Sequence, residues 1–190
     1  MRIVGGRLRG RPLAGPRSPL TSSRAIRPTS DRLRETLFNI LLHSHGPPGP
    51  ETRVLDLFAG TGALGLEAIS RGAAQALFVE TSVEGRGIIR TNIETLGLTG
   101  ATRILRRDAT DLGRAGTIQP FDLVFCDPPY GKGLGERALA SAAAGGWLKP
   151  EALCVLEERA DAEIALPPGF ELLDQRKAGD SQLSFLRFSV

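Results

Sequence analysis

The sequence predicts an α/β fold, with a seven-stranded and mostly parallel sheet preceded by a basic N-terminal hairpin and helix. Three observations point there. From Arg53 onward, short apolar runs alternate with helical stretches, the pattern of βαβ units. A glycine-rich turn follows the first of those runs. Nine arginines precede residue 35 against the single acid Asp31, a local charge of +8, whereas the remaining 15 basic and 20 acidic residues give −5.

Residues 1–13 set Ile3, Val4, Leu8 and Leu13 around Gly5-Gly6 and Gly10, which predicts a short glycine-turned hairpin. Residues 12–28 are expected to be a loop. Thr29-Ser30 can cap a helix whose Leu33, Leu37, Ile40 and Leu41 share one face and which should end near His43. The proline-glycine cluster at 46–50 then separates a basic extension, residues 1–45, from a body, residues 46–190. In the body, strands are expected at about 53–58, 75–80, 101–106, 121–126, 151–157, 170–176 and 182–188. Helices should fill 62–71, 82–96 and 133–145. A turn at Ala178-Gly179-Asp180 joins the last two strands as a hairpin, so one edge of the sheet should be antiparallel.

Composition narrows the function. With 190 residues, 41% of them hydrophobic and 24% charged, the chain suits one compact domain with an arm. No run reaches the roughly 18–20 apolar residues of a membrane helix, and the N-terminus has no signal-peptide core. Cys126 and Cys154 lie in strand-like apolar runs, which supports neither a disulfide framework nor a zinc site, and the expected location is the cytoplasm. His43 and His45 have no acid or cysteine beside them and are read as exposed helix-end residues, so no metal is expected. The arginine-rich extension reads as an arm for a polyanion, because the planar guanidinium matches phosphate, with a solubilising tail as the alternative.

Val54-Leu55-Asp56-Leu57-Phe58-Ala59-Gly60-Thr61-Gly62-Ala63-Leu64-Gly65 is a strand running through a glycine turn into a helix. Gly60, Gly62 and Gly65 match G-x-G-x-x-G, and Glu80 ends the next strand, where an acid can bind ribose hydroxyls. A Rossmann-like dehydrogenase would also fit that much. Asp56, however, puts an anion beside the turn, which suits the ammonium of S-adenosylmethionine (SAM) and would repel a pyrophosphate. Asp108, just past the third strand, is placed to accept from an adenine amino group beside the Ala109 amide.

The second motif is Asp127-Pro128-Pro129-Tyr130, at the C-terminal end of the strand-like run Phe121–Cys126. An exocyclic amino group on a base is a poor nucleophile because its lone pair is delocalised into the ring. A carboxylate and a backbone carbonyl that accept its two hydrogens favour localisation of that pair, and two prolines stiffen the carbonyl's direction. Asp127 and the Pro128 carbonyl can do this, while Tyr130 offers a ring on which a flipped base can stack. On that reading Tyr130→Phe, which keeps the ring, is expected to be mild.

These motifs carry a resemblance. DLFAGTG with DPPY looks like the SAM-dependent amino methyltransferases of class I, and MRIVGGRLRGRPL with AIRPTSDRLRETLFNIL resembles the RsmD family, over essentially the whole chain. The resemblance implies methylation of the N2 amino group of one guanine in small-subunit (16S) ribosomal RNA, on the assembled particle. It puts Asp56, Phe58, Gly60, Gly62, Glu80, Asp108 and Ala109 on cofactor positions and Asp127, Pro128, Pro129 and Tyr130 on catalytic ones. The RNA contacts expected from the arm are Arg7, Arg9, Arg11, Arg27 and Arg32. The family often carries a charged residue after the acid of the second strand, whereas here Thr81-Ser82 follow Glu80. DPPY is shared with adenine and cytosine amino methyltransferases, so the choice of target rests on the arm and the helix that follows it. The rival readings are a DNA adenine-N6 methyltransferase, for which no target-recognition insertion is present, and an RNA-binding assembly factor without turnover. Trp147 is read as a core anchor with base stacking as the alternative, and Asn92 as structural.

Overall fold

A computed structural model describes residues 1–17 and 29–189. Eleven main elements follow in order: α1 (Asp31–His45), β1 (Arg53–Leu57), α2 (Ala63–Ser70), β2 (Gln75–Val79), α3 (Val83–Leu96), β3 (Thr102–Leu105), β4 (Phe121–Cys126), α4 (Leu134–Ala144), β5 (Leu148–Arg159), β6 (Phe170–Ala178) and β7 (Ser181–Phe188). They agree with the expected elements to within a few residues. The last part of the expected 12–28 loop, and Arg27 with it, lies outside the described residues.

The sheet has the order β3-β2-β1-β4-β5-β7-β6. β1 to β5 run parallel, and β7 is antiparallel to both β5 and β6. The hairpin was legible in the sequence, but the insertion of its second strand beside β5 was not. That inner position explains why β7 is buried along nearly its whole length while β6, at the edge, is not.

Side chains alternate across the sheet and divide the core in two. Val54, Phe78 and Phe125 pack against α1, α2 and α3. Leu55, Leu57 and Cys126 pack against α4 on the other face. Ile3 and Leu13 of the N-terminal hairpin and Leu37, Phe38 and Leu41 of α1 belong to the first of these cores. Residues 1–17 and 29–45 therefore share a core with the body.

A buried ion cluster ties them together. Glu67 of α2 accepts from the Val4 and Gly5 amides at 2.9 Å each, from Arg34 Nη1 at 3.1 Å and from Arg71 Nε at 3.0 Å. Arg34 also donates to Asp31 and, at 2.8 Å, to the Arg2 carbonyl. Its side chain is fully buried, so one of the nine N-terminal arginines is a structural cation rather than part of an RNA-facing surface.

Candidate active site

The chain order of the sheet reverses between β1 and β4, and the connections from these strands leave toward opposite faces. A crevice opens at such a point, at the C-terminal strand ends. The two motifs stand on either side of it.

On the β1 side, Phe58 takes a left-handed backbone, φ 54°, which costs a non-glycine residue about 1 kcal/mol or more. The glycine turn that follows is held by Glu80. Its Oε1 accepts from the Gly60 amide at 2.8 Å and its Oε2 from the Ser82 amide at 2.9 Å. Each carboxylate oxygen keeps a second lone pair for a ligand hydroxyl. Phe58, Glu80, Asp108 and Ala109 line one cavity of about 260 Å³, together with Arg107 and with Arg137, which sequence reasoning did not single out. Asp108 caps the short turn 109–111, and hydrogen bonds from the Thr110 hydroxyl and amide hold its carboxyl below the ordinary range. A second depression, at Gly49–Thr52, Asp122 and Lys149, sits at the opposite strand ends, away from both motifs.

Asp56 departs from its expected role. It is 1% exposed, and its Oδ2 accepts from the Gly65 amide at 3.1 Å in the first turn of α2. Burial, together with the Glu80 charge, raises its carboxyl well above the usual range. It tethers α2 behind the turn and does not line the cavity, so it does not stand as an exposed anion facing an ammonium. Gly62 likewise does not line the cavity. Its left-handed φ of 79° opens α2, and an added Cβ would press on Ile89 and Phe78.

On the β4 side, Phe125 pairs with Val155 and Cys126 with Leu156. One step further along this register, Asp127 comes beside Glu157, on the sheet face that α1 covers. Thr29, just ahead of α1, donates its hydroxyl to Asp127 Oδ2 at 2.9 Å. Tyr130 donates its hydroxyl to Glu157 Oε1 at 2.6 Å and shares a hydrogen bond with Ser181 Oγ at 2.8 Å. The Ser181 hydroxyl lies 3.2 Å from the same Glu157 oxygen. Burial first, then the Glu157 charge, raises the Asp127 carboxyl well above the usual range, and burial with Glu157 pushes the Tyr130 phenol up. Pro128 is buried and Pro129 exposed, and the Gly131 amide donates to Glu158 at 3.1 Å, which pins the end of the turn.

Sequence reasoning missed Thr29, Glu157 and Ser181. The matched apolar runs of β4 and β5 could have signalled Glu157, since equal runs in parallel neighbours bring their following residues together. Nothing in the sequence signals Thr29. Among the expected RNA contacts, Arg7, Arg9, Arg11 and Arg32 are exposed, and Arg11 spends one nitrogen on the Thr95 carbonyl at 2.8 Å. Trp147 is fully buried and donates to the Gly113 carbonyl at 2.9 Å, which makes it a core anchor rather than a platform for a base. Asn92 is structural, as expected. It accepts from the Ala14 amide at 2.7 Å and donates to the Thr61 carbonyl at 3.0 Å, linking the N-terminal hairpin to the glycine turn.

A parallel sheet with this strand order, a glycine turn held by a β2 acid and an Asp-Pro-Pro-Tyr turn across the crevice define a Rossmann-like methyltransferase. Within that class, the chain belongs to the family described as conserved hypothetical protein 95, whose model matches residues 1–187, and this is the RsmD family. The ribosomal RNA small subunit methyltransferase D of Escherichia coli strain K12 is 39% identical over 181 residues, 94% of this chain and 85% of the relative. The Haemophilus influenzae protein of the same name is 35% identical, over 94% of this chain and 89% of the relative. The solved structure of yhhF from Escherichia coli superposes with a TM-score of 0.79 at 34% identity, covering 100% of this chain and 98% of that one. No helix among the described residues is long and apolar enough to cross a membrane.

Proposed function

We propose that this chain transfers a methyl group from SAM to the exocyclic N2 amino group of a guanine in small-subunit ribosomal RNA, in the cytoplasm and on an assembled particle rather than free RNA. The observation that carries the reading is the pairing of two turns at one crevice: the Glu80-held glycine turn and the Asp127–Tyr130 turn. The cavity beside the first turn fits the cofactor. It has an acid with free lone pairs for a ribose, the apolar walls Phe58, Ala109 and Leu134 for a purine, and the exposed Asp108 for an amino group.

When bound, SAM supplies an electrophilic methyl group on a sulfonium. Everything else falls to the chain. Glu80 orients the ribose, and Asp127 with the Pro128 carbonyl accepts the hydrogens of the amine, so that its lone pair points outward at the moment of attack. Tyr130 borders the base, and Arg7, Arg9, Arg11, Arg27 and Arg32 hold RNA phosphates. The relatives' name, ribosomal RNA small subunit methyltransferase D, supports the substrate class.

The test is transfer of labelled methyl from SAM to small-subunit particles, naked small-subunit RNA and DNA, followed by nucleoside analysis. Labelled N2-methylguanosine, made faster on particles, is expected. N6-methyladenine in DNA, or calorimetric binding of NAD without SAM, would overturn the reading.

A further inference from the structure

Glu157 stands out because one of its oxygens has work and the other has none. The residue is 6% exposed, its Oε1 is engaged by Tyr130 and Ser181, and its buried Oε2 has no hydrogen-bond partner. Leaving a buried carboxylate oxygen unpaired is costly. The neighbour within reach is another carboxyl, Asp127, which the β4–β5 register sets beside it. Two carboxyl groups can satisfy one another only with a proton between them, as like charges at such range cannot both persist.

We propose that Asp127 and Glu157 share a single proton and form a relay, in which Asp127 faces the substrate amine and Glu157 is the terminal proton acceptor. The proposal deepens the amino-methyltransferase reading above and rests on it. With the shared proton on Asp127, its carboxyl has a hydroxyl that donates to Glu157 and a carbonyl-type oxygen that accepts from the amine. When the amine nitrogen forms its bond to the methyl carbon, the carbon–sulfur bond breaks and its electron pair stays on sulfur. The nitrogen is then cationic and must lose a proton. That proton passes to the accepting oxygen of Asp127 as the Asp127 hydroxyl proton passes to Glu157 Oε2. Both carboxyls end neutral, and one proton then returns to water past Asp127, the more exposed of the two.

The groups facing the pair fit this assignment. Asp56 from β1 is a further buried acid near the pair and brings no cation to it, Tyr130 from the turn donates to Glu157 Oε1, Ser181 from β7 shares that oxygen, and Thr29 ahead of α1 donates to Asp127. Among the described residues no cation forms an ion pair with either carboxyl, and a shared proton is the neutralisation that the facing groups favour. Glu157 thus acts through Asp127 as a positioning residue that also stores the proton.

Two measurements test the relay. Infrared spectra of the protein alone should show, at neutral pH, the carbonyl band of a buried protonated carboxyl that disappears in the isosteric Asp127→Asn variant. Single-turnover methylation with saturating SAM and RNA should give a bell-shaped pH profile in the wild type, since only the singly protonated pair can work. Asp127→Asn should be slower and lose the alkaline limb, because an amide donates to Glu157 but cannot relay. Glu157→Gln should lower the rate by about 10²-fold, with the SAM dissociation constant and the RNA KM within about twofold of wild type, a split that a folding defect would not produce. A Glu157→Gln enzyme with wild-type rate and profile would overturn the relay. So would wild-type infrared spectra with no buried protonated-carboxyl band at neutral pH, a result that needs neither variant. If the wild type methylates no nucleic acid, the proposed function fails, while the infrared result still decides whether the proton is shared.

Discussion

At the scale of single residues, the tyrosine hydroxyl changes what Tyr130→Phe should do. A ring alone would make the substitution mild, as the sequence suggested. In the structure the hydroxyl donates to Glu157 at 2.6 Å, so its removal strips a buried carboxylate of its closest donor. Loss of such a charge-assisted hydrogen bond costs roughly 1.5–3 kcal/mol, and we expect Tyr130→Phe to lower both thermal stability and methylation rate. Thermal melts beside single-turnover rates check this, and a fully wild-type Tyr130→Phe would show the hydroxyl to be idle. The raised carboxyls of Asp127 and Asp56 make a second prediction. Each holds its proton in the native state at pH values where the unfolded chain has released it, so stability falls as pH rises above about 4 toward the folded value. Asp127→Asn removes that penalty. Its stability relative to wild type should therefore grow from pH 4 to pH 8 in denaturant titrations, and a difference independent of pH would refute the raised carboxyl.

At the scale of elements, the start of α3 serves Glu80 more than it serves the helix. Ser82 caps α3, its hydroxyl accepting from the Gly85 amide at 3.1 Å. A Cβ on Gly85 would come within 2.9 Å of Glu80 Cγ and 3.2 Å of the Gly60 carbonyl oxygen. Alanine is the better helix former by about 1 kcal/mol, so helix propensity alone predicts a gain from Gly85→Ala. We expect instead that Glu80 is displaced and SAM affinity falls by roughly 10- to 100-fold, the equivalent of one charged hydrogen bond, with the melting temperature nearly unchanged. Calorimetry with SAM separates the outcomes, since unchanged affinity would mean that Glu80 tolerates movement. Glu80→Ala should weaken SAM at least as much, because it also frees the Gly60 amide.

At the scale of the whole molecule, the N-terminal extension is a structural partner of the cofactor turn. A free arm could be deleted without consequence for SAM. Here Val4 and Gly5 satisfy Glu67, Ile3 and Leu13 fill the core, and Ala14 reaches the glycine turn through Asn92. Deletion of residues 1–17 would leave the buried Arg34–Glu67 cluster short of donors, at a cost of several kcal/mol. The truncated protein should melt at a lower temperature and bind SAM more weakly. RNA capture is better tested by reversing the exposed Arg7, Arg9 and Arg32 to glutamate. Every arginine–phosphate pairing that is broken should reduce the salt slope of log affinity by roughly 0.7 to 0.9, with SAM affinity intact. An unchanged slope would remove these residues from the RNA surface.

Local pattern was enough to read the seven strands, the helices, the final hairpin, the Glu80 position and the Asp127–Tyr130 turn, because strand alternation, helix caps and glycine turns are short-range properties that the chain carries residue by residue. The same short range explains what was lost. Asp56 reads as an anion beside a turn, and only its burial under α2 makes it a tether whose carboxyl is pushed well above the usual range. Arg34 reads as one more arm cation, and only the packing of α1 against α2 turns it inward onto Glu67. Thr29 and Asp127 are 98 residues apart, and Tyr130 and Ser181 are 51 apart. Their meeting depends on α1 crossing the sheet face and on β7 entering beside β5, long-range pairings whose energetics are settled by the whole core. Sequence alone thus determined which chemistry stands at which strand end, while tertiary structure decided which charges survive burial, because a carboxyl's charge is set by neighbours that the chain brings together only on folding.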